Sequence, residues 1–228
     1  MNRGIFVTGT DTEVGKTIVT RALVRALVDT GIRVAALKPV ESGAPEIDGR
    51  LVPEDASALI RAARSGHNVP DVCAYSFPDP VSPHLAAARE GVTIEQDRIL
   101  EILERHRNNF DLIVAEGAGG LMVPLSSTLL YADLIAATGF SLLLVSPNVL
   151  GTINATLLTL EAARSRGIEV AGVILNRTPP VELGNADAIS HHGKVRVLGE
   201  FPTVSSDSDD VLADTARRIL DLDSILQA

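Results

Sequence analysis

One run of the chain has the residue types and spacing to hold phosphate: Thr8-Gly9-Thr10-Asp11-Thr12-Glu13-Val14-Gly15-Lys16-Thr17. It follows a short apolar segment, residues 4–8, and opens an amphipathic one, residues 16–28. The apolar pairs of that segment, Ile18/Val19, Ala22/Leu23 and Ala26/Leu27, recur every four residues. A strand, a glycine-bearing turn and a helix start in that order aim unpaired backbone N–H groups at an anion. Lys16 adds a positive charge toward the β- and γ-phosphates of a nucleotide, and the Thr17 hydroxyl is placed to ligate Mg2+. The spacing departs from the usual loop. A glycine is expected where Thr10 stands, and here it comes one position earlier, at Gly9.

Further positions point to the same chemistry. The apolar segment 112–115 ends in Glu116-Gly117-Ala118-Gly119-Gly120. A carboxylate at the carboxyl end of a buried strand, beside a phosphate loop, suits Mg2+ directly or through water. The glycines after it let a backbone approach a ligand closely. Lys38 precedes Pro39, which biases it toward extended backbone, so its ammonium projects from a strand end. Asp55 reads as a helix-start acid favoured by the helix dipole. His191-His192 near Asp187 reads as a solvated face, and Cys73 as a small buried hydrophobe. No Cys/His or Ser/His/Asp constellation for nucleophilic catalysis is evident.

These residues need a scaffold, and the hydrophobic periodicity supplies one. Residues 4–8, 33–37, 112–115, 141–145, 170–175 and 195–198 read as strands, and 16–28, 55–63, 94–107, 152–166 and 210–222 as helices. The alternation predicts an α/β fold: a single domain, residues 1–228, built on a P-loop-type, mostly parallel sheet with helices on both faces. Ligands then sit at the carboxyl ends of the strands, where the loop-rich regions 41–53 and 69–83 belong.

Composition bounds the function classes. Lys plus Arg number 20 against 29 Asp plus Glu, a formal net charge of −9, and aromatic residues make up 3%. The chain lacks both the phosphate-neutralising charge and the stacking platforms of nucleic-acid binders, while a small anionic ligand remains compatible with a local pocket. The most apolar stretch, residues 134–150, is interrupted by Thr138, Gly139, Ser141, Ser146, Pro147 and Asn148. It falls short of the roughly 20 apolar residues of a membrane span. With no export-type apolar segment at the start and one cysteine, Cys73, the expected location is the cytoplasm.

Five stretches, in this order and spacing, resemble the dethiobiotin synthetase family: Gly9 to Thr17, Lys38-Pro39-Val40-Glu41-Ser42-Gly43, Ser82-Pro83-His84, Glu116 to Gly120, and Gly151-Thr152-Ile153-Asn154. The resemblance covers the chain up to about residue 180. It implies an ATP-dependent enzyme of biotin biosynthesis that carboxylates 7,8-diaminopelargonic acid with CO2 and closes the ring, through a carbamate and a carbamic–phosphoric anhydride.

By matching position, Lys16 and Lys38 flank the phosphoryl and carbamate oxygens, and Thr12 donates to the carbamate. Glu13, Val14, Gly15, Lys16, Thr17, Ile18, Asp55, Glu116, Gly117, Ala118, Gly119 and Asn176 belong to the ATP site, with Thr17, Asp55 and Glu116 on Mg2+. The substrate meets Thr12, Lys38 and Ser42. Its carboxylate meets the helix start Gly151, Thr152, Ile153 and Asn154 of a neighbouring subunit, which implies a homodimer. One departure stands out: Asn176-Arg177 occupies the place where the family often has Asn-Asp as a reader of adenine, so relaxed base selection is expected. Residues 205–210 either cover the base or form a solvated N-cap for the last helix. The main rival is a regulatory ATPase of the partitioning or division-site class, which shares deviant phosphate loops. That class usually carries an extra lysine early in the loop, where this chain has Asp11, and a basic or membrane-binding surface.

Overall fold

The computed structural model describes residues 4–179, 181 and 183–227; the two ends of the expected 1–228 domain lie outside them. Ten strands occur among the described residues: β1 (Gly4–Gly9), β2 (Val34–Leu37), β3 (Val40–Ser42), β4 (Glu46–Ile47), β5 (Arg50–Leu51), β6 (Tyr75–Phe77), β7 (Leu112–Gly120), β8 (Ser141–Pro147), β9 (Val170–Thr178) and β10 (Val197–Pro202). The helices are α1 (Lys16–Asp29), α2 (Glu54–Ala63), α3 (Val69–Val72), α4 (Pro83–Arg89), α5 (Gln96–Arg107), α6 (Tyr131–Thr138), α7 (Thr152–Arg164), α8 (Asn185–Gly193), α9 (Asp209–Ile219) and α10 (Leu222–Gln227).

The six strands expected from the apolar runs form one sheet in the order β10-β9-β8-β1-β7-β2, and every pairing in it is parallel. A parallel sheet needs cover on both faces, and the strand residues divide accordingly. Phe6, Ala35, Leu37, Ile113, Ala115 and Leu142 pack on one side with Ile99, Leu103, Leu134 and Ile135 of α5 and α6. Their neighbours Ile5, Val7, Val34, Ala36, Val114, Leu143 and Val145 pack on the other with α1, α2 and α9. The period of two in strand geometry thus sends alternate residues to opposite cores, which is why the strands read as unbroken apolar runs.

From β1 the chain moves out to β2, returns to β7, and then crosses to β8 on the far side of β1. The carboxyl end of β1 is therefore the point where the winding direction reverses, the place where open parallel sheets bind ligands. Several strands run further than expected, and two of these extensions carry expected site residues into the sheet. β7 continues through Glu116 to Gly120, so Glu116 lies inside the strand, paired in register with Val7. β9 continues to Thr178 and takes Asn176 into the sheet.

Candidate functional site

The loop after β1 closes onto α1 through Gly15, whose φ of 89° is left-handed. No side chain caps this helix start, so its first-turn N–H groups stay available. A side chain at Gly15 would be doubly blocked, because a Cβ there would lie 2.0 Å from Asn176 Nδ2. Asn176 in turn donates from Nδ2 to Val14 O at 2.8 Å and locks the loop from below. Lys16 folds back across the loop, its Nζ donating to Asp11 O at 2.9 Å.

β7 and β2 bring the acidic and second basic groups to the same place. Thr17 Oγ1 donates to Glu116 Oε1 at 2.8 Å. Lys38 Nζ donates to the same Oε1 at 2.6 Å, to Gly117 O at 3.3 Å and to Asp55 Oδ2 at 2.8 Å. Glu116 and Lys38 are both buried. The other carboxylate oxygen of Glu116, Oε2, is buried with no hydrogen-bond partner among the described residues.

Asp55 arrives by a route that the sequence reading did not foresee. Glu41, at the centre of β3, accepts from the backbone N–H groups of Asp55 at 3.0 Å and Ala56 at 2.9 Å. Its carboxylate thereby caps the start of α2 and pins Asp55 beside Lys38. Glu41 stood in the Lys38-Pro39-Val40-Glu41-Ser42-Gly43 run, but a cap supplied from a distant strand leaves no local signature. Asp55 is the first-turn acid of α2 that the sequence offered, and it also joins the charged cluster as a partner of Lys38.

The cluster redistributes proton affinities. Burial, followed by repulsion from Lys38, lowers Lys16 to about 8, against the pull of Glu116 and Asp55. Burial also opposes charge on Lys38, but Glu116 and Asp55 outweigh it and raise its proton affinity. For Asp55 burial disfavours ionisation, and Lys38 more than offsets it, holding the carboxyl below the usual range. Burial and the nearby Glu41 push the Cys73 thiol up to about 12, so it is no nucleophile near neutral pH. Lys16 is the group whose charge changes in an accessible range. As pH rises through about 8 it loses its proton, and nucleotide affinity of the free protein is expected to fall. A titration calorimetry series between pH 7 and 9 checks this; affinity that is flat or rising across that range contradicts it.

Above the cluster lies a cavity of about 660 Å3. Of the expected residues, Thr12, Glu13, Gly15, Lys16, Thr17, Ile18, Lys38, Ser42, Asp55, Ala118 and Gly119 line it, and Arg177 joins them. Val14, Glu116 and Asn176 are buried and brace the lining from behind. Gly151, Thr152, Ile153 and Asn154 do not line it; they start α7, at the end of the loop that follows β8. Pro80, Val81, Pro83 and Val123 form an apolar part of the wall. Of these four, only Pro83 fell within a quoted stretch, Ser82-Pro83-His84. Gly43 permits the approach of Pro80, since a Cβ there would meet Pro80 Cβ at 3.1 Å.

The remaining expectations resolve simply. Ser208 caps α9, accepting from Val211 N, and Arg21 and Arg25 of α1 clasp Asp209 and Asp210. Residues 205–210 thus take the N-cap role, and none of them lines the cavity. His191 and His192 are exposed. His106 is buried and packs against His67 and Phe110, with ring centroids 4.6 and 5.7 Å away. Among the described residues, no group of three or more His, Cys, Asp or Glu is placed to hold a metal, and no helix is long and apolar enough to cross a membrane.

Comparison with known proteins gives the family of the chain. Residues 3–209 match the family model described as an AAA domain. The chain is 40% identical over 209 residues to the ATP-dependent dethiobiotin synthetase BioD of Anoxybacillus flavithermus, covering 90% of this chain and 93% of that one. It is 35% identical to the protein of the same name from Thermodesulfovibrio yellowstonii, over 99% of both chains. Among solved structures, a ParA family ATPase from Chlorobium tepidum superposes with a TM-score of 0.57 at 15% identity, over 100% of this chain and 92% of that one. The MinC:MinD cell division complex of Aquifex aeolicus gives 0.57 at 17% identity, over 95% and 94%. At these identities the two structures speak to the fold alone. The extent and identity of the sequence matches place the chain in the AAA domain family and, within it, in the ATP-dependent dethiobiotin synthetase family.

Proposed function

We propose that this protein is the ATP-dependent ligase of biotin biosynthesis that converts 7,8-diaminopelargonic acid, CO2 and ATP to dethiobiotin, ADP and phosphate. The observation that carries the reading is the pairing of two buried lysines at the phosphate loop with an apolar cavity wall. A ligand that fills this space has an anionic, phosphate-bearing end and a hydrocarbon body. The diamine chain supplies the hydrocarbon, and its carbamate supplies the second anionic head.

One amine nitrogen forms a bond to the carbon of CO2 and releases a proton, giving the carbamate. A carbamate oxygen then bonds the γ-phosphorus of ATP, and the bond from that phosphorus to the β,γ-bridging oxygen breaks as ADP leaves. The second amine attacks the carbonyl carbon of the anhydride, the carbon–oxygen bond to phosphate breaks, and the cyclic urea closes with loss of another proton. Lys16 and the open first turn of α1 hold the nucleotide phosphates. Lys38 stabilises charge on the carbamate and the transferring phosphoryl group, and Thr12 and Ser42 orient the diamine. The three donors of the Lys38 ammonium are taken up by Glu116, Asp55 and Gly117. To act it exchanges one of these acceptors for a substrate oxygen, and Asp55, with 39% of its side chain exposed, is the partner nearest solvent.

Thr17, Asp55 and Glu116 would hold Mg2+, which takes one or two carboxylates together with substrate phosphates and water. The partnerless, buried Oε2 of Glu116 suits such a hard cation. When bound, Mg2+ supplies charge neutralisation at the phosphates.

The second-subunit part of the reading is a homodimer. Asn154 and Leu158 share one solvent-facing side of α7, and Leu158, Val149 and Leu150 are 63%, 49% and 102% exposed. Large apolar side chains left in water beside a helix start support coverage by a second copy. Sedimentation at working concentration is expected to give a dimer, and a clean monomer would count against this part.

The test of the function is phosphate release with each component omitted in turn. Release that requires both the diamine and bicarbonate supports the synthetase. Release that ignores them and responds to DNA or lipid points instead to a regulatory ATPase.

A further inference from the structure

Four hydroxyl side chains meet beneath the phosphate loop, and the residue at their centre is Ser146, fully buried at the carboxyl end of β8. Thr156 Oγ1 donates to Ser146 Oγ at 3.0 Å. Thr152 Oγ1 lies 2.7 Å from Ser146 Oγ and Thr10 Oγ1 lies 3.2 Å from it. A hydroxyl has one proton and two lone pairs, so these three neighbours saturate it. The four residues come from three separate places: the phosphate loop, the end of β8 and the first two turns of α7. Thr10 is tied to the same strand a second time, its backbone N–H donating to Val145 O at 3.1 Å.

The cluster is not ordinary helix chemistry. A threonine inside a helix commonly returns its hydroxyl to the carbonyl four residues back. Thr20 does so to Lys16 O, Thr159 to Ala155 O and Thr215 to Val211 O. Thr156, on the same helix as Thr159, spends its proton across the fold on Ser146 instead. Thr152, which follows the N-cap Gly151 as the first residue of α7, also places its hydroxyl on Ser146. Two hydroxyls of α7 are thus committed to a side chain that also holds the loop beneath the nucleotide.

We propose that Ser146 is a positioning residue for the reaction. It ties the N-terminus of α7 to the phosphate loop of its own subunit, so that the helix end this subunit offers across the dimer, to the carboxylate of substrate bound in the partner's site, is held at a fixed place on the body of the subunit. This rests on the reading that α7 receives that carboxylate across a homodimer. Ser146 lines no part of the cavity; it acts through Thr10 and Thr152.

The experiment is a cycle between this residue and one group of the substrate. Steady-state constants are measured with 7,8-diaminopelargonic acid and with 2,3-diaminononane, which replaces the carboxylate by a methyl group, for wild type, Ser146→Ala and Asn154→Ala. Ser146→Ala is expected to raise KM about tenfold for the acid with kcat little changed, and to move kcat/KM for 2,3-diaminononane by less than twofold. A merely structural residue would lower both substrates equally, and that result overturns the proposal. The pair Thr156→Val and Thr156→Ser, at the α7 hydroxyl that donates to Ser146 and is not among the residues assigned to the carboxylate, gives a second reading should Ser146→Ala fold poorly. Valine should reproduce the carboxylate-specific loss and serine, which keeps the hydroxyl, should restore it; equal behaviour of the two contradicts the proposal. If Asn154→Ala shows carboxylate dependence and Ser146→Ala does not, positioning fails alone. If neither variant does and wild type is indifferent to the carboxylate, the α7 reading fails and the proposal falls with it.

Discussion

Lys38→Ala should lower turnover by about two orders of magnitude or more, the scale of roughly 3 kcal/mol that a lost charge-stabilising donor removes from the transition state. The argument is geometric and electrostatic. Lys38 is buried, its proton affinity is raised by Glu116 and Asp55, and its ammonium stands at the edge of the cavity that Lys16 enters from the phosphate loop. A cation kept protonated by its carboxylate partners and itself buried is worth more to a transferring phosphoryl group than the same charge in solvent. The loss should fall on kcat, with KM for ATP changing less, because Lys16 and the free amides of α1 remain. Turnover within a fewfold of wild type, in a variant that binds nucleotide normally, would remove Lys38 from the catalytic account.

Glu116→Ala should be the most destabilising substitution at the site. Glu116 is fully buried and its Oε1 receives both Thr17 Oγ1 and Lys38 Nζ. Removing one partner of a buried ion pair leaves its counterpart undercompensated, at a cost of about 3 kcal/mol or more. Asp55 remains beside Lys38 at 2.8 Å, which keeps the loss toward the lower end. For a chain of this size that corresponds to a Tm lower by roughly 6–12 °C. Thermal unfolding without ligands measures it, and a Tm within about 2 °C of wild type would mean that the pair contributes little to the fold.

The phosphate loop was legible because its signal is local. Gly15, Lys16 and Thr17 follow one another, and the turn they need is dictated by backbone conformation. The sheet was legible because strands buried on both faces carry unbroken apolar runs. The elements missed lack such periodicity. α6 buries Tyr131, Ala132, Leu134, Ile135 and Thr138, most of its length, so no polar face marks it as a helix. α4 is a seven-residue segment begun by Pro83 inside a proline-rich stretch that reads as loop. The pairing of β3 with β6 joins residues 40–42 to 75–77, a contact that no local pattern encodes.

The same division holds within the site. Lys16, Thr17 and Glu116 could be picked out from their places in the sequence, and the resemblance supplied the roles of Lys38 and Asp55. The groups that set their positions could not be read, because each acts across the fold. Glu41 caps α2 from a strand, Asn176 holds Val14 from β9, and Ser146 joins the phosphate loop to α7 through hydroxyls. The interruption of 134–150 by Ser146, taken from the sequence only as a reason against a membrane span, marks the end of a central strand where a polar side chain has three partners waiting.

The central claim is tested most directly by the mass of the product formed from 7,8-diaminopelargonic acid, ATP, Mg2+ and 13C-labelled bicarbonate, with phosphate measured in the same reaction. The account predicts a cyclic urea carrying one labelled carbon, formed in equal amount to the phosphate released. Phosphate without labelled product, or no dependence of either on the diamine, would contradict it.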